Sequence, residues 1–424
     1  GNLHFVDNLG NEKTGFPVTV GDDIWGAPAT ADLDLDGELE IVIASKDGSL
    51  YIIDLFGEIE LSLDLGQFLM GTPTIGNFDF DSELEIAIAG YSNSGELFVV
   101  NADGSFVEGF PLYIGEKVLR GPSIYDVNDN GLDDIVIATE SKHLYLVYDN
   151  GTIAEGFPFI ASDKFKSSPT ILNVNSDIII LSGSKDGQLY ALDRFGSLLW
   201  QFNAGSNIAA ACSFVNLGSS IGIFFGTDLG LLYGLDQNGN IFPGYPIETG
   251  SAISVSPSFS DLDNNGEPEI IFGNSSGDVI ILSLDGIPYD FSPINGGYSI
   301  IGSPSIYDID LDDDLDLIFG ITSGILVIDI KTEGSDMNYW SMFKGNTERT
   351  GSIKMNLNMG CDDIIIGDLD CNNIIDVNDV VILISIILES YYPELYQELA
   401  GDSNDDNILD ILDIISIINN ILRY

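Results

Sequence analysis

Asp32-Leu33-Asp34-Leu35-Asp36-Gly37-Glu38-Leu39-Glu40 sets a carboxylate at every second position ahead of the apolar run Ile41-Val42-Ile43-Ala44. The frame returns at Asn77, Asp126, Asp261 and Asp308, each with a proline four residues upstream: Pro28, Pro73, Pro122, Pro257 and Pro304. Weaker copies at Pro169/Asn173 and Cys212/Asn216 fill the gap, so the unit recurs every 43 to 49 residues. A fixed period of that length marks a solenoid, a propeller or an array. Oxygen donors at loop positions 1, 3, 5 and 9 suit a hard cation, calcium above all.

Around the acidic turn, one unit reads as four short strands. Pro28 to Ala31 is the first, with proline at its start, where a missing N–H costs least. Glu40 to Ala44 is the second, Leu50 to Asp54 the third after the turn Lys46-Asp47-Gly48-Ser49, and Glu58 to Asp64 the fourth. Four strands with no helical stretch between them describe one propeller blade. Several units carry Gly-Phe-Pro before the fourth strand (Gly109-Phe110-Pro111, Gly156-Phe157-Pro158), with Gly244-Tyr245-Pro246 as a variant. The N-terminus supplies only a back half, Leu3 to Asp7 and Gly15 to Val18. The expectation is an all-β propeller of seven complete four-stranded blades plus a partial one. It closes as a seven-bladed or an eight-bladed ring, and the abrupt start of the pattern favours eight.

After residue 351 the pattern changes. A linker, residues 352–366, leads to a small all-α C-terminal domain, residues 367–424, with two twelve-residue loops 34 residues apart, each followed by an apolar helix. In such a loop oxygens come from positions 1, 3, 5, 7 (backbone), 9 and 12. The first copy supplies Asp368, Asp370, Asn372, the Ile374 carbonyl, Asp376 and Asp379. The second supplies Asp402, Asn404, Asp406, the Ile408 carbonyl, Asp410 and Asp413. Asn373 and Asn407 stand where glycine usually makes the left-handed turn. Asparagine tolerates that conformation best among the other residues.

Composition narrows the function. The 424 residues hold 67 Asp plus Glu against 14 Lys plus Arg, a formal net charge of −53, with 45% hydrophobic residues. That field excludes nucleic acid and anionic membrane surfaces as partners. Seven divalent ions would offset only part of it, so much of the acidity is solvated surface, as suits a saline habitat. No apolar run is long enough to span a membrane. Three cysteines are too few for a disulfide framework: Cys212 reads as a small core residue, and Cys361 and Cys371 are a candidate pair. No nucleophile, zinc-binding or phosphate-cradling motif occurs, and His4 and His143 sit inside strand patterns.

Two resemblances sharpen this. Residues 1–351 resemble FG-GAP or VCBS-like propeller repeats, including those of integrin α chains, through the Asp-x-Asp-x-Asp-Gly-x-x-Glu loop and its flanking strands. The likeness implies calcium held by Asp32, Asp34, Asp36 and Glu40; Asn77, Asp79, Asp81 and Glu85; Asp126, Asn128, Asn130 and Asp134. The last two sets are Asp261, Asp263, Asn265 and Glu269, and Asp308, Asp310, Asp312 and Asp316. The C-terminal loops resemble a type I dockerin, which implies two further calcium sites and docking to a cohesin-like scaffold or cell-surface protein. The positions that help select the partner in that family fall on Val377, Asn378, Ile411 and Leu412. The expected function is a secreted, calcium-stabilised module that binds a protein or a glycan and is tethered at its C-terminus. Rival expectations are a polysaccharide lyase and the accessory C-terminal part of a larger secreted hydrolase.

Overall fold

The computed structural model describes residues 1–289, 291–312, 314–336, 339–355, 366–370, 375, 377–388, 393, 397, 400–403 and 408–421. The chain divides into two compact units. One is Gly1–Val215 with Gly222–Ile353; the other is Lys354–Tyr424 with the short turn Asn216–Ile221.

The first unit is a set of antiparallel sheets in sequence order. Blade 1 comprises Ala29–Ala31, Glu40–Ala44, Ser49–Ile53 and Ile59–Asp64, and blades 2 to 6 repeat that order up to Asn295. The second strand of blade 1 is buried along its whole length, because a neighbour covers each of its faces. The pleat decides which neighbour. Val42, Ala44, Leu50 and Ile52 join the core of blade 2 with Ile75, Ile86, Ile88 and Phe98. Ile41, Ile43, Tyr51 and Ile53 point the other way, onto Leu3, Phe16 and Val18. The N-terminal strand pair Asn2–Leu3 and Val18–Thr19 therefore covers the free face of blade 1.

Proline carbonyls and the hydroxyls that follow them stitch the inner strands together. Thr74 Oγ1 donates to Pro122 O at 2.9 Å, Ser123 Oγ to Pro169 O at 2.7 Å, Ser213 Oγ to Pro257 O at 2.6 Å and Ser258 Oγ to Pro304 O at 2.9 Å. Each bond runs from one blade to the next. The recurrent Pro-Ser/Thr pair is thus an inter-blade tie as well as a strand start.

The expectation of seven complete four-stranded blades is corrected at the last one. Among the described residues blade 7 has three strands, Ser305–Tyr307, Asp314–Ile321 and Gly324–Glu333. Beyond Glu333 the chain does not turn back along the sheet but crosses the inner strands. Phe259 donates its N–H to Trp340 O, Ile306 to Ser341 O, Thr30 to Thr347 O, Ile75 to Glu348 O, Ile124 to Thr350 O and Ile171 to Gly351 O, all at 2.9 to 3.0 Å. Six of the seven blades are thereby tied to one strap, described at residues 335–336 and 339–353. Its Trp340, 2% exposed, meets Phe214 of the remaining blade edge to face at 5.1 Å. Lys344 is wholly buried beneath the ring, donating to Thr74 Oγ1 at 3.2 Å and to Pro122 O.

In the second unit two helices, α1 (Val377–Ile387) and α2 (Ile411–Ile421), pack around Leu369, Leu383, Ile386, Ala400 and Ile417. Among the described residues no helix is long and apolar enough to cross a membrane.

Candidate metal centres

The acidic loops share one hydrogen-bond scheme, which follows from their spacing. The side chain at position 9 lies at or near the start of the second strand and reaches back to the N–H of position 2: Glu40 to Leu33 at 2.7 Å, Glu85 to Phe78 at 2.6 Å, Asp134 to Val127 at 3.0 Å, Glu269 to Leu262 at 2.7 Å and Asp316 to Ile309 at 3.1 Å. Position 5 accepts the N–H of position 7, for example Asp36 from Glu38 at 2.8 Å and Asn265 from Glu267 at 2.7 Å. Position 6 is left-handed where glycine fills it, with φ of 95° at Gly37 and 88° at Gly266, a conformation glycine adopts without strain.

This folding turns oxygens inward. Carboxylate oxygens of Asp32, Asp34 and Asp36 lie within 4.8 Å of one another, as do those of Asp79, Asp81 and Glu85; Asp261, Asp263 and Glu269; and Asp308, Asp310 and Asp316. Asp32 Oδ1 and Asn77 Oδ1, both at position 1, are buried and accept no hydrogen bond. A buried acceptor without a partner costs about 1–3 kcal/mol, and a cation at the centre of the loop would satisfy it. Burial, reinforced by the neighbouring carboxylates, pushes Glu85 up to about 7 and Glu269 up to about 6. The donor set is all oxygen and fits a hard divalent ion.

The third loop differs. Burial pushes Asp134 up to about 7, but Asp134 Oδ1 accepts from Asn128 Nδ2 at 3.2 Å and from the Asp149 N–H at 3.1 Å. Asp126 spends both oxygens on Asn130 and Gly131. Asp261 of the fourth loop commits both its oxygens in the same way, to Asn265 and Gly266, so the third loop is set apart by its asparagines at positions 3 and 5, which leave it only two carboxylates at its donor positions. At Asn173 the strands pair through to Val174 and Asp177, so a two-residue turn replaces the acidic loop.

In the second unit Asp368, Asp370 and Asp379 bring oxygens within 4.8 Å of one another. Asp379, fully buried, accepts the Leu369 N–H at 2.7 Å, and its counterpart Asp413 accepts the Ser403 N–H at 2.9 Å. Position 12 thus folds back on position 2 in both copies. Asp402 and Asp410 are half-buried and Ile408 is exposed. Asn372, Ile374, Asp376, Asn404 and Asp406 lie outside the described residues, as do Cys361 and Cys371. Val377 and Ile411 begin matching exposed stripes, continued by Val381 and Ile384 on α1 and by Ile415 and Ile418 on α2; Asn378 and Leu412 are exposed beside them.

Elsewhere, His143 Nδ1 meets Glu116 Oε1 at 2.5 Å on the flank of its blade, and His4 meets Glu12 at the same distance. Cys212 is buried before its strand, and burial pushes its thiol up to about 12. Sequence reasoning missed the strap with Lys344 and Arg349. Their only signal was two cations close together in a chain with 14 Lys plus Arg.

The comparisons with known proteins bear on the fold alone. The chain is similar to the crystal structure of BBS1N in complex with ARL6DN soaked with lead, at 14% identity and a TM-score of 0.51 over 75% of this chain and 93% of that one. The mercury-soaked form gives 15%, 0.52, 76% and 95%. BamB from Moraxella catarrhalis aligns at 15% identity with a TM-score of 0.44 over 72% of this chain and 96% of that one. No protein-family model and no curated protein sequence matches the chain. The likeness to BBS1N and the repeated four-stranded sheets make the chain a mainly-β, propeller-like protein with two short C-terminal helices.

Proposed function

We propose that this is a secreted binding module: a propeller whose loops are clamped by calcium and which presents a rigid face to a protein or glycan ligand. About five propeller loops and two C-terminal loops hold the ions, the third propeller loop, with two carboxylates and two asparagines for donors, most weakly. The carrying observation is the pair of buried, unpartnered position-1 oxygens, Asp32 Oδ1 and Asn77 Oδ1, in two loops whose carboxylates converge (Asp32, Asp34 and Asp36; Asp79, Asp81 and Glu85). The ions do no chemistry on a substrate. They offset carboxylate repulsion and fix turns between strands, each adding about 2.7 kcal/mol when free Ca2+ is 100-fold above Kd.

Ligand binding is the role that suits such rigidity. The similar BBS1N was solved in complex with ARL6DN, and a protein partner is the reading this supports for the propeller here. The C-terminal unit is the tether. Its duplicated loops and the exposed stripes starting at Val377 and Ile411 suit a cohesin-like partner that buries apolar side chains.

Glycan and protein arrays probed with the full chain in Ca2+ test the binding role. Binding to a defined class, lost in chelator, is expected. Release of unsaturated uronate from a polysaccharide would overturn the non-catalytic reading in favour of a lyase. For the tether, Ile411→Asp combined with Val377→Asp is expected to abolish capture by a cohesin module; unchanged capture would refute it.

A further inference from the structure

The blades leave a cavity of 370 Å³ on the ring axis, whose lining includes Phe343 and Arg349 of the strap. Its charge is opposite to that of the chain. The sequence holds 67 carboxylate side chains, yet among the described residues none lines this space, while Arg120 and Arg349 both do. Neither arginine forms an ion pair among the described residues. Arg349 Nε donates to Pro28 O at 2.9 Å and Nη1 to Phe343 O at 2.9 Å and Asn346 O at 3.3 Å, which leaves Nη2 without an acceptor there. Arg120 Nε donates to Lys166 O at 3.1 Å, and both its terminal nitrogens are unengaged. Glu348 offsets part of the charge of Arg349 without lining the cavity.

The rest of the wall also offers donors. Thr72 Oγ1 accepts the Ala27 N–H at 3.0 Å and Ser303 Oγ accepts the Ser256 N–H at 2.9 Å, so each hydroxyl proton remains to be given away. Trp25, which also lines the cavity, is 61% exposed and leaves an aromatic face for a ring to lie on. The volume is in the range of small-molecule sites, several times what a lone inorganic anion needs. A carboxylate matches the guanidinium forks, and spread hydroxyl donors with an aromatic face match a sugar ring.

We propose that this axial cavity binds a sugar acid, with its carboxylate on Arg120 and Arg349, its ring oxygens on Thr72 and Ser303, and its ring face on Trp25. The site deepens the binding-module reading by naming a ligand class, and the sugar acid is drawn in by local contacts against the repulsion of the acidic exterior.

Calorimetric titration of the full chain in Ca2+ with sodium glucuronate, glucose and sodium phosphate tests it. Glucuronate is expected to bind at least tenfold more tightly than glucose or phosphate. Arg120→Ala is expected to weaken glucuronate at least tenfold, the range of a lost charge-assisted hydrogen bond. Arg120→Lys keeps the charge but not the fork and guards against misfolding; it too is expected to lose affinity. The proposal falls if glucuronate does not bind, if glucose or phosphate binds as well, or if both Arg120 variants bind glucuronate like the parent. Array binding that survives those results would leave the module reading standing. Loss of all array binding would sink that reading instead.

Discussion

Replacing Glu85 by glutamine should change stability in opposite directions with and without calcium. Glu85 is 1% exposed, and burial, followed by the charges of Asp79 and Asp81, pushes it up to about 7 from an ordinary 4.5. Because the folded-state value is raised, the ion-free protein loses stability as pH climbs from the unfolded value to the folded one and keeps that deficit above it. A rise from 4.5 to about 7 corresponds to an ionisation penalty of about 3 kcal/mol. Glutamine retains an oxygen for the Phe78 N–H, now 2.6 Å from Glu85 Oε2, and removes the charge. In chelator at pH 8, Glu85→Gln should therefore stabilise the chain by about 1–3 kcal/mol. In saturating calcium the same change removes a ligand and forfeits up to about 2.7 kcal/mol. Paired urea titrations of both proteins in chelator and in calcium read the two signs. Destabilisation of equal size in both conditions would refute the reasoning, because Glu85 would then act only through its hydrogen bond.

Three further outcomes follow from the packing. Trp340→Ala should cost about 3–5 kcal/mol and Trp340→Phe much less, since the buried Nε1–H has no acceptor; equal losses on chemical denaturation would contradict the strap's anchoring by that ring. Glu140 is opposed by burial, yet Lys166 at 2.8 Å, Tyr91 and Lys164 hold it down at about 2. Its stabilisation is present above pH 4.5 and lost toward pH 2, so Glu140→Gln should cost about 1–2 kcal/mol at pH 7 and little at pH 2. Denaturation across that range checks it, and a pH-independent loss would contradict it. Burial, then Arg349, drives the Lys344 ammonium well below its usual value, so the unfolded chain binds the extra proton and stability rises with pH. Lys344→Met should be neutral or stabilising at pH 7 and flatten that rise in pH-dependent denaturation; a loss above about 2 kcal/mol would refute it.

The blades were legible because side-chain chemistry writes them. Consecutive apolar residues such as Ile41, Val42 and Ile43 must be covered on two faces, and carboxylates two apart must share a turn. The strap was not legible, because it is held by its carbonyls. Trp340 O and Thr347 O accept N–H groups from other blades, and any residue can supply a carbonyl. The short fourth strands, Leu112–Tyr113 and Phe159–Ile160, pair over only two residues, too few for residue alternation to reveal, and were legible only from the Gly-Phe-Pro that precedes each. Arg120 carried no signal in the sequence, since only the folded blades bring it and Arg349 to one cavity.

The ion count is the most direct test of the account. Equilibrium dialysis of the full chain against calcium, with metal analysis and melting curves before and after chelation, should return about seven ions per chain. The melting temperature should fall by at least about 10 °C when they are stripped. One ion or none, with an unchanged melting temperature, would contradict the claim that these carboxylate loops are cation cages.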